Sequence, residues 1–288
     1  MDFLVPAGDM LSQARLKPFG QVSFLSKART ADTSLPMFAA NLVRAFGQAF
    51  FRGYRGYDLV VSTGSNFCIP PGMSARLEGV ELINIESSVR FTRPSKTAQL
   101  LKPFAWYTVL QWPEQEKLLP GGTYFGPLLP RPVVHPWNGG YVLITGGTLG
   151  HRRLFDLASE CDLHDVVLQT GRVDPAPFRS SHPEWRVIES SPAFHELLAG
   201  ADVVVTHFGY TALETLIYRK PTVLVLNPEW KLTVGREDAR LLAEKINAEF
   251  IWDLTKENLL RAIARSRDKA VPVFPDGAER LSRRIVSM

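Results

Sequence analysis

The chain has 288 residues, 45% hydrophobic and 22% charged, a globular composition long enough to bury a core and one that excludes a disordered chain. Its two cysteines, Cys68 and Cys161, are far apart and form neither a disulfide framework nor a metal-type cluster, so no metal is expected and a reducing cytoplasm is the default. The net charge of +4 is uneven, with 14 Lys and Arg against 9 Asp and Glu in residues 1–135 and 19 against 20 in residues 136–288. The basic first half suits an anionic acceptor, a membrane surface or plain solvated surface. The lack of basic runs and binding motifs argues against nucleic acid.

In chain order, Met1 to Gly8 reads as a strand entering the turn Pro6-Ala7-Gly8 rather than as a signal peptide. Asp9 follows, placed to cap the next helix or to act from a strand end. Residues 36–55 have helical spacing: Asn41, Arg44, Gln48, Arg52 and Arg55 form a polar stripe, and Met37, Phe38, Leu42, Val43, Phe46, Phe50 and Phe51 fill the rest. Two readings stay open, a helix dipping into a bilayer interface and a helix facing a core. Apolar runs at 59–61 and 82–85 end in Ser62-Thr63-Gly64 and Glu86-Ser87, and Glu86 can be a base, an acceptor ligand or a satisfied buried carboxylate. Residues 97–107, with Leu100, Leu101, Phe104 and Trp106 near Arg90, Arg93, Lys96 and Lys102, can extend the same surface.

Residues 126–140 hold Pro127, Pro130, Pro132, Pro136 and Gly139-Gly140 and interrupt the alternation of strand and helix. The expected division is 1–130, a linker at 131–140, and 141–288. Beyond it, apolar runs at 141–144, 166–168, 203–205 and 223–226 end in Thr145-Gly146-Gly147, Gln169-Thr170-Gly171, Thr206-His207 and Asn227-Pro228. Helical patterns fall at 193–199, 212–219, 238–246 and 257–266. Runs apolar throughout predict parallel strands buried on both faces. The fold class is therefore α/β, with two doubly wound parallel-sheet domains facing a central cleft and ligands at the strands' carboxyl ends.

Gly146, Gly147 and Thr148 follow a strand and precede a helix, where close backbone approach and free N–H groups suit a diphosphate. They also suit an ordinary turn. Thr211 and Glu214 read either as a capping box or as ligands, with Glu214 accepting from ribose hydroxyls. The segment after Asn227 reads as a lid-like polar loop, followed by a helix from Arg236-Glu237-Asp238. Of the six histidines only His207 ends a strand. His135, His151, His164, His182 and His195 are expected at the surface or in the linker.

Taken in order, Gly-Gly-Thr, Gln-Thr-Gly, His-x-Gly-Tyr-Thr-x-x-Glu and Asn-Pro resemble the donor domain of B-type-fold glycosyltransferases. The pattern is similar to the bacterial GlcNAc transferases that complete lipid II. It is also similar to the catalytic subunit of the enzyme that adds the second GlcNAc to dolichol-diphosphate-GlcNAc. The marks Ser62-Thr63-Gly64, Ile85-Glu86-Ser87, Gln111-Trp112-Pro113-Glu114 and Gly126-Pro127-Leu128-Leu129 look like the membrane-recruiting subunit of that enzyme, here placed first in one chain. The resemblance implies an inverting transferase moving GlcNAc from UDP-GlcNAc to a lipid-linked sugar at the cytoplasmic face of a membrane, without a cofactor. It carries donor contacts onto Gly146, Gly147, Thr148, Gln169, Thr170, Gly171, His207, Gly209, Thr211, Glu214, Asn227 and Asp238. The chain departs from the pattern in three places. The His-to-Glu spacing is one residue short, Arg236-Glu237-Asp238 replaces an Asn-His-Gln element, and Asp9 stands where the family has its general-base histidine. Asp9 and Glu86 are therefore the expected catalytic carboxylates. The recruiting subunit's N-terminal anchor is missing from the pattern, so association with the membrane is expected to be peripheral.

Two alternatives remain at this level. A non-catalytic subunit would bind UDP without turnover, and a UDP-GlcNAc 2-epimerase would make UDP-ManNAc without an acceptor.

Overall fold

A computed structural model describes residues 1–28, 33–227 and 235–287. The chain forms two compact units, Met1–Phe125 and Gly126–Met288.

Unit 1 runs β1 (Asp2–Pro6), α1 (Met10–Leu16), β2 (Gln21–Leu25), α2 (Leu35–Arg52), β3 (Leu59–Ser62), α3 (Ile69–Leu77), β4 (Glu81–Ile85), α4 (Lys96–Leu101), β5 (Tyr107–Leu110) and β6 (Thr123–Tyr124). Strands β3-β4-β5-β6 make a parallel sheet in that order, while β1 and β2 pair, also in parallel, only with each other. One doubly wound sheet was expected of this half, and the described pairing gives two smaller ones. Leu4 of β1 packs with Tyr54, Ala75 and Val80, so side-chain packing ties the small sheet to the helices behind the larger one. Among its described side chains, helix α2 fully buries only its alanine seam, Ala45 and Ala49. Its Phe50 and Phe51 are 54% and 88% exposed, and Met37 and Val43 are exposed beside them.

Unit 2 runs β7 (Tyr141–Thr145), α5 (Arg152–Ser159), β8 (Val166–Gln169), α6 (Ala176–Ser181), β9 (Arg186–Ile188), α7 (Phe194–Gly200), β10 (Ala201–His207), α8 (Thr211–Ile217), β11 (Thr222–Val225), α9 (Arg236–Lys245), β12 (Glu249–Ile251), α10 (Lys256–Ser266) and α11 (Gly277–Val286). The sheet is parallel in the order β12-β11-β10-β7-β8-β9. Its central strands are mostly apolar because alternate residues feed two cores. Val142, Ile144, Val203, Val205 and Val223 pack under α5 and α10, whereas Leu143, Val167 and Val204 pack against Phe194, Leu197 and Tyr218 on the other face. Strand order reverses between β7 and β10, which opens a crevice at their carboxyl ends.

The proline-rich segment read as a linker is strapped to unit 2 along much of its length. Trp137 N–H and Gly139 N–H donate to Ala199 O and Gly200 O at 3.0 and 2.8 Å, and Lys220 Nζ donates to Trp137 O at 2.7 Å. Proline denies this segment a helix but leaves its other amides and its carbonyls free to bond elsewhere.

Candidate functional site

The crevice in unit 2 is built by four strand exits. From β7 the chain turns sharply at Gly146. A side chain there would put its Cβ 2.4 Å from Gly150 C, so only glycine fits. Gly147 N–H donates to Thr145 Oγ1 at 3.0 Å, and that hydroxyl donates to Gln169 Oε1 of β8 at 3.1 Å. Gly171 closes on this loop, with Arg172 N–H donating to Thr148 O at 3.1 Å. A Cβ on Gly171 would lie 2.4 Å from Gly147 O. The third exit, from β10, sets His207 beside the loop, its Cε1 3.7 Å from where a Gly147 Cβ would be. Asn227, at the β11 exit, is buried and reaches Gly150 O from Nδ2 at 3.5 Å.

The structure therefore brings Gly146, Gly147, Gln169, Gly171, His207, Gly209 and Asn227 together around one crevice. Gly147, Thr148, Gly171, Gly209 and Thr211 leave backbone or hydroxyl surface open, whereas Gln169 and His207 lie beneath. Burial, with the nearby His151 second, lowers the His207 pKa to about 4, so its imidazole is neutral at pH 7.

Two expected donor contacts are placed differently, and one of the two readings of Thr211 fails. Thr170 is fully buried, and its N–H bonds Ile188 O of β9 at 2.9 Å, so it braces the sheet. Asp238 is buried in the first turn of α9 and accepts from Gly235 N–H at 3.2 Å. Thr211 does not cap α8. Tyr210 holds the cap position without a side-chain bond, and Thr211 is the first residue of the helix. Glu214 is 8% exposed, and its Oε1 lies 3.8 Å from His195 Nε2, whose Nδ1 is 3.1 Å from Tyr218 Oη. The lid-like loop lies outside the described residues, apart from Asn227 and Gly235 at its ends.

His151 corrects the sequence reading. Expected at the surface or in the linker, it is 0% exposed. Its Nδ1 accepts from Leu154 N–H at 3.3 Å and caps α5, while Nε2 lies 3.1 Å from Leu226 O. An acceptor at Nδ1 and a carbonyl at Nε2 assign the neutral Nε2–H tautomer. One ring thus ties the β7 loop to the β11 exit. The local signal was a histidine between Gly150 and the start of a helical pattern; its second partner is 75 residues away.

In unit 1, Asp9 is half-buried and caps α1, with Oδ1 accepting from Ser12 N–H at 3.0 Å and Oδ2 from Ser12 Oγ at 2.7 Å. Glu86 is 0% exposed, and its carboxylate accepts from Ser87 N–H at 2.6 Å and Ser95 N–H at 2.8 Å. Burial raises its pKa, against the pull of those bonds and of the Arg90 charge. So enclosed, Glu86 braces a loop and presents no face to a substrate. Among the described residues no group of three His, Cys, Asp or Glu is placed to hold a metal ion, and no helix is long and apolar enough to cross a membrane.

These features define an α/β protein with parallel sheets of the GT-B type, with a phosphate-suited crevice at the switch point of its second unit. Residues 141–279, within unit 2, match the family model of the glycosyltransferase family 28 C-terminal domain. Among solved structures, MurG from Acinetobacter baumannii is 16% identical with a TM-score of 0.66, covering 99% of this chain and 90% of its own. The glycotransferase of kitacinnamycin is 18% identical with a TM-score of 0.66, covering 98% and 85%. A putative UDP-N-acetylglucosamine 2-epimerase from Listeria monocytogenes is 15% identical with a TM-score of 0.62, covering 99% and 95%. No curated protein matches the chain.

Proposed function

We propose that the protein is an inverting glycosyltransferase that binds UDP-GlcNAc in unit 2 and transfers GlcNAc to a lipid-linked sugar held by unit 1. The observation that carries this reading is the convergence of Gly147, Thr148, Gly171 and Gly209 on one crevice within the residues that match the glycosyltransferase family 28 C-terminal domain. The backbone amides of Thr148 and Leu149, at the exposed tip of the β7 loop, and the N-terminus of α5 suit a diphosphate. Glu214 receives the ribose hydroxyls. In the transfer, the acceptor oxygen bonds to C1 of the sugar as the bond to UDP breaks. The leaving diphosphate is stabilised by the same amides. The acceptor's proton goes to a carboxylate, and of the two candidates Asp9 is the accessible one.

The exposed Met37, Val43, Phe50 and Phe51 of α2, near basic Arg44 and Arg52, support a peripheral membrane contact at the cytoplasmic face. The epimerase neighbour shares the fold, but the family match of residues 141–279 favours transfer.

Calorimetric titration tests the donor half. UDP should bind the full chain, and Glu214→Ala should weaken it about tenfold or more. Absence of UDP binding by the wild-type protein would remove the donor assignment.

A further inference from the structure

The loop leaving β4, residues 86–95, contains no helix or strand, yet it is pinned by side chains from both of its flanks. Glu86 takes the N–H groups of Ser87 and Ser95. Gln111 Nε2 donates to Glu86 O at 2.8 Å, and Trp112 Nε1 donates to Ser88 O at 2.6 Å. Gln115 Nε2 donates to both Ser87 O at 2.8 Å and Arg90 O at 2.9 Å. Glu86, Trp112 and Gln115 are each at most 1% exposed, and the Phe91 ring lies 5.9 Å from that of Trp112. Burying a carboxylate and two amides to order an irregular loop is costly, and the loop's own apolar burial is confined to Phe91.

What this frame holds in place is charge. Arg90 is half-buried and Arg93 exposed at the carboxyl end of the β3-β4-β5-β6 sheet. Among the described residues, no hydrogen bond or ion pair within 4 Å engages either guanidinium; the Arg90 charge only offsets the burial of Glu86 at longer range. Two unengaged guanidinium forks on a fixed loop at a ligand-binding edge suit a ligand with adjacent anionic oxygens.

We infer that residues 87–95 form a pre-organised diphosphate subsite, with Arg90 and Arg93 as its contacts, for the phosphates that join lipid to sugar in the acceptor. This inference rests on the reading of unit 1 as the acceptor unit. The same guanidiniums could instead meet anionic headgroups, and the test separates the two sources.

A water-soluble short-chain prenyl diphosphate is titrated into the full chain without membranes, with saturating UDP present to occupy unit 2. The wild-type protein should bind it. Arg90→Ala and Arg93→Ala should each weaken binding about tenfold, and the pair about a hundredfold. An uncharged prenyl glycoside should bind all four proteins alike. Failure of the wild type to bind the diphosphate, or equal binding by the variants, would overturn the subsite. So would variants that keep diphosphate binding but lose flotation with phosphatidylglycerol vesicles, since the charge would then serve headgroups. Loss of the transferase reading would show separately, as wild-type protein that binds both substrates and makes no product.

Discussion

Replacing Gly171 with alanine should damage the crevice by an amount that can be worked from two separate causes. The residue has φ of 61°, in the left-handed region that costs an L side chain about 1–2 kcal/mol. Its Cβ would also stand 2.4 Å from Gly147 O and 2.6 Å from Thr148 O, which are backbone atoms that cannot swing aside. Relieving such overlap typically costs about 1–3 kcal/mol. The sum is roughly 2–5 kcal/mol, or a fall of about 5–15 °C in the melting transition of unit 2. Gly140 provides the control: its φ is 77°, but a Cβ there meets nothing within 4 Å, so Gly140→Ala should show only the conformational part. Differential scanning calorimetry of both variants, with UDP titrations on each, separates the two causes. Equal shifts for Gly171→Ala and Gly140→Ala would refute the claim that the β7 and β8 loops are in backbone contact.

His207 makes stability depend on pH: its folded pKa of about 4 lies below the ordinary imidazole value of 6.5, so the unfolded chain binds the proton first. Stability is therefore full above about pH 6.5 and falls by about 3 kcal/mol as pH drops towards 4. Urea titrations at pH 7.5 and 4.5 should show the loss, and His207→Asn should flatten it. Asp9→Ser should keep the α1 cap and remove the proposed base, whereas Asp9→Ala should also cost unit 1 about 1 kcal/mol. Calorimetry alongside initial rates distinguishes the roles, and full activity in Asp9→Ser would dismiss Asp9 as base. Glu86→Gln should lower the unit 1 transition by about 1–3 kcal/mol, because an amide NH₂ would face Ser87 N–H or Ser95 N–H. An unchanged denaturation midpoint would contradict the bracing role.

The central strands β7, β8, β10 and β11 were legible because their residues are almost all buried, so composition alone marks them, whereas the edge strands β9 and β12, short and partly exposed, leave no such run. The helix read at 257–266 corresponds to α10 (Lys256–Ser266), since its apolar stripe has one core to face. Partnership over distance was not legible. His151 reads locally as one more histidine, and its place is fixed by Leu226 O, which arrives only when β11 pairs beside β10. Of the two readings of Thr211, the cap fails because Tyr210 takes the N-cap position with helical dihedrals, so Thr211 already lies inside α8. Asp9 and Glu86 look alike as strand-end carboxylates. One meets a serine three residues on and stays partly accessible, while the other is enclosed by a loop returning at Ser95. In unit 1 the apolar runs marked strands but not their partners, since pairing of β1 with β2 alone depends on packing that no local pattern records.

The central claim is sugar transfer from the unit 2 crevice. Its most direct test is incubation of the full chain with labelled UDP-GlcNAc and a short-chain polyprenyl-diphosphate-GlcNAc, followed by chromatography of the lipid products. A labelled disaccharide lipid with inverted anomeric configuration is expected, and it should be lost in Glu214→Ala. Release of UDP-ManNAc without any acceptor, or UDP binding with no labelled lipid, would contradict the claim.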